Sequence, residues 1–341
     1  MSATIKSVAE HAGVSIKTVS RVINNEGTVK PETLAKVQEA IEKLNYKPNK
    51  AARDLAGREN FVLGYVYDNP NAYYIIDMQK GILNECRAKG YELLIHPCDA
   101  SSKNIIDEII GMVESARLAG LILSPPLSEM PDVLSALDTK GVRYVRILSG
   151  SKADKDSQPC VLVDDFEAAY QITEHLINQG HKDIAFIAGE EQHNSTIERQ
   201  KGFSAALQAH NIAQHPEFMM KGTYSFGTGV QSIEQLLNLT QPPTAVFACN
   251  DEIAAGALFG ARMRGIDVPK QLAIAGFENS PFSRQTFPPL TTASQPTAQI
   301  AERATATLIQ SLKARKLGQD KASIPAHVFV PELVVRESTN Q

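Results

Sequence analysis

Apolar positions along this chain follow two periods. Over about residues 4–46 they recur every three to four residues, the spacing of short amphipathic helices. From Phe61 onward, short apolar runs bounded by Gly, Pro or polar residues alternate with helix-length amphipathic segments. Such runs suit strands buried on both faces of a parallel sheet. They are Phe61–Tyr67, Tyr91–His96, Gly120–Ser124, Tyr144–Leu148, Cys160–Val163, Ile184–Ala188, Ala245–Ala248 and Leu272–Phe277. The helical segments between and after them are Ile75–Lys89, Ile105–Ala116, Asp165–Gln179, Glu198–His210, Gly229–Leu237, Ile253–Arg264 and Ala298–Arg315. This alternation predicts an α/β fold. The strands are too many for one core, so two doubly wound lobes are expected, with a ligand between them at the carboxyl ends of the strands.

The first zone predicts a helix-turn-helix. Helices over Ile5–Ala12 and Ile16–Asn24 would turn Val8, Ala12, Val14, Val19 and Val22 toward a shared core. Ala9 is small where two helices cross, Gly13 falls in the turn, and Ser15 is placed to cap the second helix. A third helix, Pro31–Leu44, would cover the pair with Leu34, Val37, Ile41 and Leu44. Ile16, Lys17, Ser20 and Arg21 are left outside, with Ser15, Thr18 and Asn24 at the margin. Arg21 can pair with guanine, Lys17 with guanine or phosphate, and Ile16 can touch a thymine methyl. Alone, the same residues also fit a solvated helix face.

Between the zones lies the connector "NYKPNKAARDLAGREN" (45–60). Pro48 blocks extension of the third helix, and "NKAARDLAG" is too short to be a stable helix by itself. Leu55 stands between charged neighbours. It could pack on the body or enter a minor groove as an apolar wedge.

Composition adds a charge gradient. Residues 1–60 hold ten Lys/Arg against seven Asp/Glu, whereas the remainder is acidic enough to bring the whole to −4. A basic head on an acidic body places the attraction for phosphates at the head. The four cysteines have no C-x-x-C spacing and read as buried thiols, without a metal site or cofactor. No signal-peptide pattern and no apolar run of membrane-spanning length is visible, so a cytoplasmic protein is expected. Phosphate-binding loops, G-x-S-x-G and H-E-x-x-H patterns are missing, and Asp164–Asp165 reads as a capping pair, not a catalytic dyad. An enzyme is not expected.

The stretches "TIKSVAEHAGVSIKTVSRVINN" and "VKPETLAKVQEAIEKLNYKPNKAARDLAG" resemble the head and hinge of the LacI/GalR family of bacterial repressors. The similarity continues through "VDD", "RQKGF" (199–203), "PPTAVFACND" (242–251), "GIDVPKQLAIAGFEN" (265–279) and "FPPLTTASQP" (287–296). It implies a repressor of carbohydrate-utilisation genes, acting as a homodimer on a pseudo-palindromic operator. Ile16, Lys17 and Arg21 would read the major groove; Leu55 would be the minor-groove wedge, with Ala52 beside it.

The implied body resembles periplasmic sugar-binding proteins, with two lobes joined by three crossovers. Residues 1–46 would be the head, 47–60 the hinge and 61–341 the core. Within the core, lobe one would take about 61–162 and 294–326, and lobe two about 163–293 and 327–341. An effector, expected to be a sugar, would meet Asp68, Asn69, Tyr73, Tyr74, Arg199, Tyr224 or Phe226, Asn250 and Glu278. Planar polar groups and aromatic faces suit sugar hydroxyls and rings. Arg146, near the end of an apolar strand, is either another contact or half of a structural ion pair. Where the family often has Asp-Asp or Asp-Asn after "GF", this chain has Glu278–Asn279, which alters ligand geometry. No leucine heptad follows "VFVPELVV", so a dimer is expected and not a tetramer.

Overall fold

The computed structural model describes residues 3–23, 29–46, 60–69, 71–152, 158–318 and 324–340. Contacts divide the chain into a head, Met1–Asn60, and a core, Phe61–Gln341.

The head holds α1 (Ile5–Ala12), α2 (Ile16–Ile23) and α3 (Pro31–Lys43). Val8, Ala9, Val19, Val22, Val37 and Ala40 form its buried centre, while Ala12, Val14, Leu34, Ile41 and Leu44 pack partly buried around it. Ala9 therefore does more than permit a close crossing, and Ala12 and Val14 do less than the periodicity suggested. Thr4 Oγ1 accepts the Ser7 amide while Ser7 Oγ accepts the Thr4 amide, a reciprocal cap that fixes where α1 starts. Gly13 ends it at φ +64°, a conformation that would strain any other residue here.

In the core, the first sheet contains β1 (Val62–Tyr67), β2 (Glu92–Pro97), β3 (Gly120–Leu123), β4 (Tyr144–Ser149), β5 (Cys160–Val163) and β11 (His327–Phe329). Their order is β11-β5-β4-β3-β1-β2, parallel throughout. Alternate side chains serve two separate cores. Leu63, Tyr65 and Ile122 face α4 (Ala72–Lys89) and α12 (Thr297–Lys316). Val66, Leu121 and Leu123 face α5 (Ile105–Ser115) and α6 (Pro131–Thr139). That is why these strands read as continuous apolar runs rather than as alternating ones.

The second sheet, order β7-β6-β8-β9, contains β6 (Ile184–Ile187), β7 (Met219–Met220), β8 (Ala245–Ala248) and β9 (Ala273–Ala275), again parallel. It is flanked by α7 (Asp165–Asn178), α8 (Asn194–Ala209), α9 (Phe226–Leu237) and α10 (Asp251–Met263) around one core. A short α11 (Pro281–Gln285) follows β9. A two-stranded antiparallel ribbon, β10 (Thr292–Ser294) with β12 (Glu332–Val334), lies where the chain passes between lobes.

Three differences from the sequence reading stand out. Residues 327–329 were expected in lobe two, yet they extend the first sheet beside β5, and Val163 also belongs to that sheet. Only from β12 onward does the tail join lobe two, where Ser338 Oγ donates to the Ile274 carbonyl. Helix α6 went unpredicted because its nine residues are short and its start is marked by Pro131 alone. Helices α8 and α9 start earlier than expected, at Asn194 and Phe226, because polar or small residues fill their first turns and hide the period.

Glycines set the closest helix contacts. A Cβ on Gly256 of α10 would collide with the Phe226 carbonyl oxygen, and one on Gly229 of α9 with that of Ile253. Gly256→Ala should lower unfolding free energy by about 1–3 kcal/mol, because the overpacking outweighs alanine's better helix propensity. A denaturant titration against Gly111→Ala, where an added Cβ meets nothing within 4 Å, checks this.

Candidate effector site and nucleic-acid interface

The head presents one coherent polar face. Ser15 Oγ accepts the Thr18 amide at 3.2 Å and lies 2.9 Å from Thr18 Oγ1, which fixes the start of α2. With Val19 and Val22 buried, helical geometry turns the other side outward. Ile16 is 48% exposed, Lys17 and Arg21 are exposed, and Thr18 and Ser20 are partly buried at the edge. Ile16, exposed on the first turn of α2 beside Lys17, is not part of the head's apolar centre among the described residues. Of the other residues expected to touch DNA, Asn24, Ala52 and Leu55 lie outside the described residues.

In the core, a cleft opens at the carboxyl ends of both sheets. Its walls include Asn69, Asn71, Tyr74 and Ser149 from the first lobe, and Asp165, His193, Ser195, Arg199, Tyr224 and Glu278 from the second, with Gln295 at the crossover. At its floor, Arg199 Nε donates to Asp165 Oδ1 at 2.8 Å and Nη1 to the Cys249 carbonyl at 2.6 Å. The guanidinium lies 3.6 Å above the centre of the Phe277 ring. Both members of the pair are nearly inaccessible to water. Burial alone would lower the Arg199 guanidinium; the Asp165 charge beside it reverses that and holds it firmly protonated. Burial pushes the Asp165 carboxyl up, against Arg199 and Ser149, whose Oγ donates to Oδ2 at 2.6 Å.

Several of these contacts cross between lobes. Ser149 ends a first-lobe strand and Asp165 starts a second-lobe helix. Asn71 caps α4 by accepting the Tyr73 and Tyr74 amides, and its Nδ2 donates to Glu278 Oε2 at 2.6 Å. Asn194 donates its amide to Glu129 Oε2 and its side chain to the Ser149 carbonyl, both at 3.4 Å. Glu278 has φ +102°, a strained backbone for a residue with a side chain. Loss of water contact is the main cause that raises its carboxyl to about 8; Arg199 opposes this and Asp251 adds to it. On the far wall, Tyr224 Oη lies 2.7 Å from Thr196 Oγ1 and 3.2 Å from Ser195 Oγ, and the His193 ring meets Tyr224 edge-on.

Of the expected contacts, Asn69, Tyr74, Arg199, Tyr224 and Glu278 therefore come together, and five do not line the cleft. Asp68 accepts the Ala100 amide at 2.8 Å. Tyr73 packs edge-on against Phe282. Arg146 Nε donates to the Ser128 carbonyl at 2.6 Å, and among the described residues it neither lines the cleft nor makes an ion pair. Phe226 opens α9 against Phe259. Asn250 caps α10 through the Ile253 amide and is fully buried. Asp164 does cap, through the Glu167 amide, but Asp165 is the acid of the buried pair. Asn71, Ser149, Asp165 and His193 were not anticipated as cleft residues. The available signals were strand ends and a cap position.

Comparison with known proteins completes the picture. Residues 4–49 match the model of bacterial regulatory proteins of the lacI family, and 173–339 that of the periplasmic binding protein-like domain. The HTH-type transcriptional repressor PurR of Yersinia pestis is 33% identical over 341 residues, 98% of this chain and 96% of that one. The transcriptional regulator CelR–cellobiose complex aligns over 98% and 99% of the two chains, with 26% identity and a TM-score of 0.74. The Lac repressor dimer bound to operator and the anti-inducer ONPF aligns over 99% of each, with 26% identity and a TM-score of 0.76. A helix-turn-helix head carried by a two-lobed core with a polar cleft defines a DNA-binding regulator, not an enzyme. The chain belongs to the LacI family of bacterial transcription regulators, and is a repressor that joins a DNA-binding head to an effector-binding domain.

The electrostatics of the cleft give a pH signature. The native Glu278 carboxyl binds its proton more tightly than the unfolded one. Its contribution is full below the ordinary carboxylate range and is lost as pH rises through about 8. Asp251, raised to about 7 chiefly by burial, adds to the same decline. Glu278→Gln should flatten the fall in melting temperature between about pH 5 and 8 and leave Asp251's share. Parallel thermal melts of the two proteins measure the difference.

Proposed function

We propose that this repressor binds a pseudo-palindromic operator as a homodimer and is controlled by a sugar held in the cleft, regulating carbohydrate-utilisation genes. Ile16, Lys17 and Arg21 contact base edges, and Ser15, Thr18, Ser20 and Asn24 contact phosphates. Leu55 enters the minor groove beside Ala52. The reading rests on one observation above others. Arg199 spends Nε and Nη1 within the protein, and among the described residues its Nη2 makes no hydrogen bond in a cleft lined by carboxylates, amides, hydroxyls and tyrosines. Such planar polar groups pair with adjacent hydroxyls, and Tyr74 and Tyr224 offer ring faces. The cellobiose complex of CelR supports the same ligand chemistry.

Because contacts from both lobes converge on Asp165 and Glu278, a ligand that replaces them alters lobe closure. Operator affinity then shifts by the same coupling energy that DNA imposes on the ligand, typically about 1–3 kcal/mol. Induction, with release of DNA on sugar binding, is the expected sign. The second reading is a purine effector, favoured by the PurR relative. A thermal-shift screen of mono- and oligosaccharides beside purine bases decides between them, since a bound ligand raises apparent stability.

Two substitutions test the two ends of the molecule. Arg21→Ala should weaken specific operator binding by about 1–3 kcal/mol per half-site and relax selectivity at one symmetric position. Unchanged affinity in a fluorescence-anisotropy titration would remove Arg21 from the reading surface. Arg199→Ala should keep operator binding and lose the response to effector; a normal response would place the ligand elsewhere.

A further inference from the structure

We propose that the cleft takes an uncharged ligand and turns away phosphorylated and other anionic ones. The inference rests on the cleft being the effector site, and it narrows the ligand class beyond that reading. Among the described residues that line the cleft, Arg199 is the single Lys or Arg, and its charge is already matched by Asp165 at 2.8 Å. Glu278 adds a second carboxyl on the same wall. Glu129 stands nearby with Oε1 buried and unpartnered, and its Oε2 accepts the Asn194 amide. The nearby Arg146 has given its Nε to the Ser128 carbonyl. Burial pulls the His193 imidazole below its ordinary value, although Asp68 opposes the shift, and its Nε2 lies 3.2 Å from Glu190 Oε2.

Helix starts around a cleft would ordinarily favour an anion. Here some of their amides are already bound by side chains. Asn71 Oδ1 accepts the Tyr73 and Tyr74 amides of α4, Asp164 the Glu167 amide of α7, and Glu129 the Asn194 amide of α8. A phosphate entering this space sheds water and, among the described residues, finds no cation that is not already matched. A hydroxyl, by contrast, can donate to Asp165 or Glu278 and accept from Arg199. At pH 7 Glu278, with its carboxyl raised to about 8, carries little charge of its own, so the cleft as a whole is close to neutral. An uncharged polar ligand therefore enters without an electrostatic penalty, whereas a dianion gives up its hydration with no free cation to replace it.

The test uses the full chain and matched pairs: glucose with glucose 6-phosphate, galactose with galactose 1-phosphate, and adenosine with its 5′-monophosphate. Calorimetric titrations are run at constant ionic strength, and a signal counts as cleft binding when Ser149→Ala removes it. Within any pair that binds, the phosphate ester should be at least about a hundredfold weaker than its uncharged partner. An ester that binds as well or better overturns the proposal. Binding of adenosine alone would overturn the sugar reading and leave the charge preference standing.

Inorganic phosphate supplies an arm that needs no known effector. Millimolar phosphate should give the wild-type protein no cleft-dependent signal. Asp165→Asn, which uncovers the Arg199 charge, should gain one. Phosphate binding by the wild type, or no gain in the variant, contradicts the argument. Asp165→Ser serves as the second variant if Asp165→Asn does not fold; it removes the same charge, and the same gain is expected.

Discussion

The ion pair of Arg199 and Asp165 organises this core. It joins the start of α7, the first turns of α8, the carbonyl that ends β8 and the Phe277 ring after β9, and through Ser149 it reaches the first lobe. A buried pair of this kind contributes little net stability, because desolvation offsets most of the attraction. Its value lies in position. Removing one partner strands the other charge, so the segments that meet there are held in one arrangement. A ligand that engages either partner acts on all of them together.

Around that pair, the fold places its chemistry on strand ends and helix starts. Parallel sheets bring the carboxyl ends of β1, β4, β5, β6, β8 and β9 to one side, and the loops that follow carry Asn71, Ser149, Asp165, His193 and Glu278. Glycines at the α9–α10 and α7–α8 contacts let these helices approach at backbone distance. Small movements of one helix must then carry its neighbour along, since close-packed interiors transmit strain.

Much of this was legible in the sequence. The buried parallel strands read directly, because a strand covered on both faces shows an unbroken apolar run. The head was readable from Val8, Val19, Val22 and Val37 at helical spacing. Helix α6 and strands β7 and β10 were not, being short or dependent on pairing with distant partners. Of the residues lining the cleft, the sequence singled out Asn69, Tyr74, Arg199, Tyr224 and Glu278. Arg146 was misplaced because a basic residue at a strand end looks the same whether it faces a ligand or a carbonyl. Asp165 was taken for a cap because its partner lies 34 residues away and the pairing is set by tertiary structure.

The head and the cleft form one regulator only if their ligands act on each other. The most direct test is reciprocal: effector affinity measured by calorimetry with and without saturating operator, and operator affinity measured with and without saturating effector. The account predicts that both affinities change, and by the same factor, roughly 5–150-fold. Affinities that stay the same in both directions would contradict it.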